Sequence, residues 1–161
     1  MKNEESHKFV FLDESGIDDD EVVQYGWSPK GKRLYASKPA FKKKRMSIIG
    51  ALNQGCFQAP FIFEGSCDRI VFEFFLEKVL SPILKKNQII IMDNASFHKG
   101  GRIEQIINAA GCQLLYLPPY SPDLNPIEHH WWAIKNNIRS LLPKCDRDLF
   151  FAAQKVFGGV S

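Results

Sequence analysis

Apolar residues fall along this chain in short blocks whose period changes near its middle. Phe9-Val10-Phe11-Leu12 is a continuous run of β-prone residues, which predicts a strand buried on both faces and ending at Asp13. Asp18 to Asp20 make a polar break. Val22 to Trp27 read as a further strand, and Ser28-Pro29-Lys30-Gly31 is a turn signal leading into Arg33-Leu34-Tyr35. A second apolar run, Met46 to Leu52, closes at Asn53-Gln54-Gly55, and Phe57 to Phe63 follows. That spacing predicts an antiparallel hairpin.

From Asp68 onward the period becomes helical, with Ile70, Val71, Phe74, Phe75, Val79 and Leu80 on the repeat. Asp68 or Ser66 is placed to cap that helix, and Pro82 to kink or end it. Gln88 to Met92 is the cleanest buried strand, ending at Asp93. Arg102 to Ala110 reads as a helix stopped by Gly111, and Gln113 to Leu117 as a strand. The proline-rich stretch Pro118 to Pro126 predicts an extended loop, followed by a helix from about Pro126 to Leu142 and a last one over Asp146 to Phe157. Strands first, then alternating helix and strand, predict an α/β chain with a mixed central sheet flanked by helices. The order resembles the ribonuclease H-like fold.

The length, 161 residues, suits one domain with a substantial core. Apolar content of 45% and charged content of 24% exclude disorder, collagen-like repeats and coiled coil. Cys56, Cys67, Cys112 and Cys145 form no C-x-x-C pair, so no zinc knuckle is written here. No apolar run is long enough to span a membrane, and the polar N-terminus carries no signal peptide. The expected setting is reducing and cytoplasmic.

Charge changes the picture through its distribution. Residues 1–21 hold eight acids and two bases, which leaves the rest of the chain at +9 although the total is only +3. Lys30, Lys32, Arg33, Lys38, Lys42, Lys43, Lys44 and Arg45 make a run of eight bases with no acid between them. Such a run attracts a polyanion, or it is simply a solvated loop.

Two acids close predicted strands, Asp13 and Asp93. Sites in α/β sheets form beyond the carboxyl ends of strands, and on neighbouring strands these two carboxylates face each other across about 4.8 Å, a spacing that invites a divalent cation. The plain alternative is turn-forming Asp at strand ends. Glu128 follows a proline-rich segment and has its own plain reading: Asn125 as N-cap, Pro126 as the first helical residue and Glu128 closing a capping box. The two roles of Glu128 are compatible, since the positive helix end suits a negative side chain.

Phe-Leu-Asp-Glu-Ser (11–15), Met-Asp-Asn-Ala-Ser-Phe-His (92–98) and Tyr-Ser-Pro-Asp-Leu-Asn-Pro-Ile-Glu-His-His-Trp (120–131) together resemble the mariner-type DDE transposases, and most of all their bacterial insertion-sequence branch. The 34 residues between Asp93 and Glu128 match that branch, and Lys135 matches a Trp…Lys pattern with Trp131 or Trp132. The resemblance covers residues 8–142 and implies a single catalytic domain over 1–161. It implies Asp13, Asp93 and Glu128 as the catalytic, metal-binding triad, with two Mg²⁺ or Mn²⁺ ions. The reaction it implies is cleavage of DNA at element ends, then strand transfer into target DNA by in-line displacement at phosphorus. Asn94 and His98 are then expected to support the metal ligands or orient a phosphate. The alternatives are a loop cap for Asn94 and a helix-start backbone contact for His98. Glu14 should point away from the site, since adjacent strand residues face opposite ways. Trp131 and Trp132 read as packing residues, and His129 and His130 as surface or DNA-facing. Lys30, Lys32, Arg33, Lys42, Lys43, Lys44, Arg45 and Lys135 would hold DNA phosphates without reading sequence.

The partners implied are element-end and target DNA, a homodimer assembled on DNA and a separate N-terminal DNA-binding chain, in the bacterial cytoplasm at the nucleoid and away from any membrane. Only twelve residues precede Asp13, so no helix-turn-helix fits there. The expectation is a catalytic core that binds DNA weakly and with strong salt dependence. Two other readings stay open: a ribonuclease H-like nuclease without strand transfer, and a truncated, non-catalytic DNA-binding relic or regulator.

Overall fold

Strand β1, Phe9–Asp18, does not stop at Asp13. Its two edges have different partners. It pairs in parallel with β4 (Ile89–Met92) over Phe9 to Phe11 only, and antiparallel with β2 (Arg45–Asn53) from Val10 to Asp18. Asp13 therefore ends the strand on the β4 side while the β2 ladder carries the backbone on. The strand is not buried on both faces throughout, since Phe9 is exposed. The computed structural model describes residues 6–18, 45–119 and 121–158. The expected strand at Val22 to Trp27, the turn and strand after it, Tyr120 and the bases Lys30, Lys32, Arg33, Lys38, Lys42, Lys43 and Lys44 lie outside the described residues.

The hairpin is as expected: β2 and β3 (Cys56–Glu64) pair antiparallel across Gln54-Gly55. Both turn residues have positive φ, 52° and 76°, the geometry whose twist matches the flanking strands. Pro60 is tolerated inside β3 because the strand is at the edge of the described sheet and bulges there. Three steps on β3 (Gln58 to Phe61) oppose two on β2 (Ile49 to Ala51), with Ala59 at φ 53°.

The described sheet has five strands in the order β3-β2-β1-β4-β5, with β5 at Gln113–Tyr116 parallel to β4. Helices cover both faces. On one face α1 (Arg69–Phe74), its π-helical continuation Phe75–Leu80 and α2 (Gly101–Ala109) bury Phe72, Phe75, Leu76, Ile103 and Ile107 against Val10, Leu12, Ile90 and Met92. On the other, α3 (Ile127–Leu141) and α4 (Leu149–Gly158) bury Ile127, Trp131, Ile138 and Ala152 against Ile17, Met46, Ile48 and Leu52. Each fully buried large side chain contributes roughly 1.5–3 kcal/mol.

Local details refine the sequence reading. Asp68 does cap α1, accepting from the Val71 N–H at 2.9 Å, and Pro82 sits in a 3-10 turn, Ser81–Ile83, that ends the segment. The buried face of α1 is Phe72 with Phe75 and Leu76, whereas Ile70 and Phe74 are exposed. The last helix begins at Leu149 rather than Asp146, because Asp146 and Arg147 have positive φ and Asp148 caps the start through the Phe151 N–H.

Candidate active site

The β1–β4 register sets the site. Phe11 is level with Ile91, and continuing that offset of 80 brings Asp13 level with Asp93, just past the end of β4. Glu128 enters from the first turn of α3. The three carboxylates line one open cleft of about 490 Å³, together with Asn94, Lys99, Pro118, Pro119, Ser121 and Asn125.

Asp13 is the most enclosed of the three. Burial raises its pKa to about 7, and the Glu14 and Glu128 carboxylates push the same way. The opposing influence is a hydrogen bond: Trp131 Nε1 on α3 donates to Asp13 Oδ2 at 2.9 Å. Asp93 is exposed and well anchored. Its Oδ1 lies 2.5 Å from His98 Nδ1 and accepts the Ala95 N–H at 3.1 Å. The His98 hydrogen bond holds the Asp93 carboxyl below its ordinary range.

His98 is buried, with 1% exposure, between the rings of Phe72 and Phe97, each with its centroid 4.3 Å away. Burial on its own lowers an imidazole pKa. Here the hydrogen bond with Asp93, and next the Glu14 carboxylate 3.3 Å behind Nε2, outweigh it and bring His98 to about 9. The ring thus meets Asp93 rather than the open cleft.

Glu128 does not close a capping box. The residue flanking α3 is Pro126, with no side-chain cap. The Glu128 N–H reaches the Asn125 carbonyl at 3.2 Å, and the buried Asn125 Oδ1 has no hydrogen-bond partner. Glu128 instead faces the cleft. His129 is exposed, and His130 Nδ1 folds back on the Pro126 carbonyl at 3.2 Å. Trp132 is 72% exposed, so only Trp131 packs. Lys135 is half-buried two turns along α3 and does not line the cleft, and Arg45 is exposed at the start of β2. Asn94 lines the cleft.

Three contacts escaped the sequence reading: the Trp131 hydrogen bond to Asp13, Glu14 behind His98, and Lys99 on the cleft wall. The first had a usable signal, since Trp131 is three residues after Glu128 and shares its side of the helix.

The donors at the cleft are all oxygen, carboxylates with amide oxygens beside them, which suits Mg²⁺ or Mn²⁺ with retained waters and substrate phosphates. Two acids raising the Asp13 pKa are the charge excess a cation would balance, and Asn125 Oδ1 is a free buried acceptor. Among the described residues no three His, Cys, Asp or Glu side chains stand close enough to hold an ion as they lie, so side-chain rotation would have to complete the set.

The chain matches a family model described as "DDE superfamily endonuclease" over residues 8–149. It is similar to two Caenorhabditis briggsae transposases. Identity to the transposable element Tcb1 transposase is 32% over 81 residues, 48% of this chain and 30% of that protein. Identity to the Tcb2 transposase is 27% over 115 residues, 66% and 42% respectively. The chain thus spans under half the length of these relatives. Among solved structures it resembles the Mos1 strand transfer complex (TM-score 0.63, 16% identity, 95% of this chain and 52% of that one). A Mos1 mariner paired-end complex with Mn gives 0.59 at 16% identity, covering 94% and 52%. The catalytic core domain of BIV integrase gives 0.56 at 14% identity, covering 94% and 80%. These likenesses fix the architecture as the ribonuclease H-like fold that the element order suggested. With that fold, and with the family model matching most of its length, the chain belongs to the DDE superfamily endonucleases.

Proposed function

We propose that this chain is the single catalytic domain of a DNA transposase, one that cuts DNA at element ends and transfers the cut strand into target DNA. The observation that carries this reading is the meeting of Asp13, Asp93 and Glu128, drawn from three separate elements, on one open cleft. The similar solved structures support the substrate, since the Mos1 neighbours are a strand transfer complex and a paired-end complex with Mn.

In this reading the three carboxylates hold Mg²⁺ or Mn²⁺, two ions in all. When bound, the ions supply Lewis-acid activation of the attacking and leaving oxygens. The protein's own residues do the rest. Trp131 holds the Asp13 carboxylate from the α3 side, and His98 holds Asp93 from the opposite face of the sheet. Lys99, on the cleft wall, meets a DNA phosphate, while Asn94 orients groups at its floor. Lys30, Lys32, Arg33, Lys42, Lys43, Lys44, Arg45 and Lys135 contribute affinity for the backbone, which falls steeply with salt. The spacing of 34 residues between Asp93 and Glu128 supports a place in the bacterial insertion-sequence branch, with nucleoid DNA in the cytoplasm as the substrate. No described helix is long and apolar enough to cross a membrane. Pairing two element ends calls for a homodimer on DNA, and choosing those ends calls for a DNA-binding region besides the catalytic domain.

The test is strand joining. Pre-cut duplex carrying the element's own ends is incubated with supercoiled target plasmid and Mn²⁺ or Mg²⁺. The wild type should give joined products, and Asp93→Ala should reduce them at least about a hundredfold, as loss of a metal ligand does to phosphoryl transfer. Equal joining by both proteins would remove the triad assignment. Cut ends without joining would make the chain a nuclease.

A further inference from the structure

Asp13 and Glu14 are sequence neighbours that leave β1 on opposite faces. Asp13 meets Trp131 on the α3 side. Glu14 emerges on the α1–α2 side, where its Oε2 lies 3.3 Å from His98 Nε2. The other ring nitrogen of the same histidine, Nδ1, lies 2.5 Å from Asp93 Oδ1. One imidazole therefore spans two carboxylates, one inside the cleft and one behind it.

The span is enforced rather than incidental. His98 is sealed at 1% exposure between Phe72 and Phe97. Its backbone is pinned at both ends: the N–H donates to the Ala95 carbonyl at 3.1 Å, and its carbonyl accepts the Tyr116 hydroxyl at 2.6 Å. Glu14 Oε2 and His98 Nε2 are both buried and neither makes an aligned hydrogen bond, so among the described residues their 3.3 Å ion-pair approach is what compensates each atom. Removing a partner from such a pair costs more than the contact is worth, because a buried polar atom is left alone.

We propose that Glu14 is a positioning residue for the metal site: through His98 it fixes the Asp93 carboxylate in the orientation that receives the cation. The inference rests on the reading of Asp93 as a metal ligand. It gives the Asp13–Glu14 pair a joint purpose, with one strand supplying a ligand directly and orienting a second through the histidine. Outer partners of this kind tune affinity by holding ligand geometry.

The measurement is Mn²⁺ binding by the full chain, followed through the EPR signal of the free ion, with circular dichroism melts confirming that each variant folds. The wild type should bind, and Asp93→Asn should bind far more weakly. Glu14→Ala should weaken Mn²⁺ about tenfold, in line with outer-partner substitutions at metal sites, and Glu14→Gln, which keeps an acceptor oxygen of the same reach, should recover part of that loss. Should Glu14→Ala fail to fold, Glu14→Gln still carries a measurable loss relative to the wild type. Glu14 variants within about twofold of wild type, beside a strong effect of Asp93→Asn, would overturn the positioning role and leave the site reading standing. A wild type that binds no Mn²⁺, or an Asp93→Asn that binds as well as the wild type, would overturn the site reading and this inference with it.

Discussion

Trp131 on α3 hands its indole N–H to Asp13 Oδ2 on β1 at 2.9 Å, and that bond locks the helix bearing Glu128 to the strand bearing Asp13. Trp131 is itself held edge-on against Phe57 at 5.3 Å. Trp131→Phe keeps most of the ring packing and deletes the donor. A buried carboxylate then loses a partner, so urea unfolding should show a loss of about 1–3 kcal/mol. Without the donor, which lowers it, the Asp13 pKa should climb further above about 7. Trp132→Phe is the control: the side chain is 72% exposed, and the change should stay within about 0.5 kcal/mol. Equal costs at the two positions would refute the division of labour between them.

Directly across from Asp13 in the β1–β2 ladder sits Gly50. A Cβ there would run into the Phe57 ring, 2.7 Å from Cε2, 2.9 Å from Cε1 and closer still to Cζ. Phe57 cannot withdraw freely, because Trp131 stands on one side and Phe157 stacks on it at 5.7 Å. Gly50→Ala should therefore destabilise by about 1–3 kcal/mol, the usual cost of overpacking. Pairing it with Phe57→Leu should return part of that loss. A double-mutant cycle in urea measures the coupling, and strict additivity would mean that the ring is not the obstacle.

Much of this architecture is legible in the sequence, for reasons specific to each element. The hairpin follows from two β-branched, aromatic runs separated by Gln54-Gly55; two runs that each precede an aspartate mark β1 and β4 as strands, while their adjacency comes from the topology. The extension of β1 past Asp13 is not legible, because a one-sided ladder hides the strand's end from any reading of local turn signals. The buried face of α1 is misjudged for a different reason. Apolar residues ring this helix, so Ile70 with Phe74 and Phe72 with Phe75 and Leu76 both have helical same-face spacing, and only packing on the sheet selects the second set. At the site, the carboxylates are visible in the motifs, whereas the Trp131 and Glu14 contacts depend on which faces of β1 meet which helices.

Asp13 makes stability fall with rising pH. Its folded pKa, about 7, lies above the ordinary 3.8, so the folded state holds the proton more tightly. The resulting stabilisation is complete below about pH 4 and is lost by the time pH passes about 7. At about 1.4 kcal/mol per unit the swing is roughly 3–4 kcal/mol. Asp13→Asn, which cannot titrate, should flatten that part of the curve. If Asp13 is a metal ligand, Mg²⁺ or Mn²⁺ should restore stability at pH 7 to 8 in the wild type and much less in Asp13→Asn. Parallel wild-type and variant stability curves from pH 4 to 8 would show that Asp13 carries no such shift.

His98 works in the same direction over a higher range. Asp93 and Glu14 raise it to about 9 against the pull of burial, so its contribution is fully present below the ordinary 6.5 and disappears as pH rises through 9. Asp93, held low by the same bond, contributes above 3.8 and loses that contribution as acid protonates it. The pair is therefore strongest between about pH 4 and 6.5. Between pH 6.5 and 9.5 the wild type should lose about 2–3 kcal/mol more than His98→Asn, a variant whose side chain does not titrate. The check is urea unfolding of both proteins at half-unit pH intervals, with the metal chelated throughout. The wild-type-minus-variant difference should shrink steadily above pH 6.5. A difference that stays constant to pH 10 would mean that the imidazole is neutral in the fold, and that Asp93 is held by a neutral hydrogen bond rather than by an ion pair.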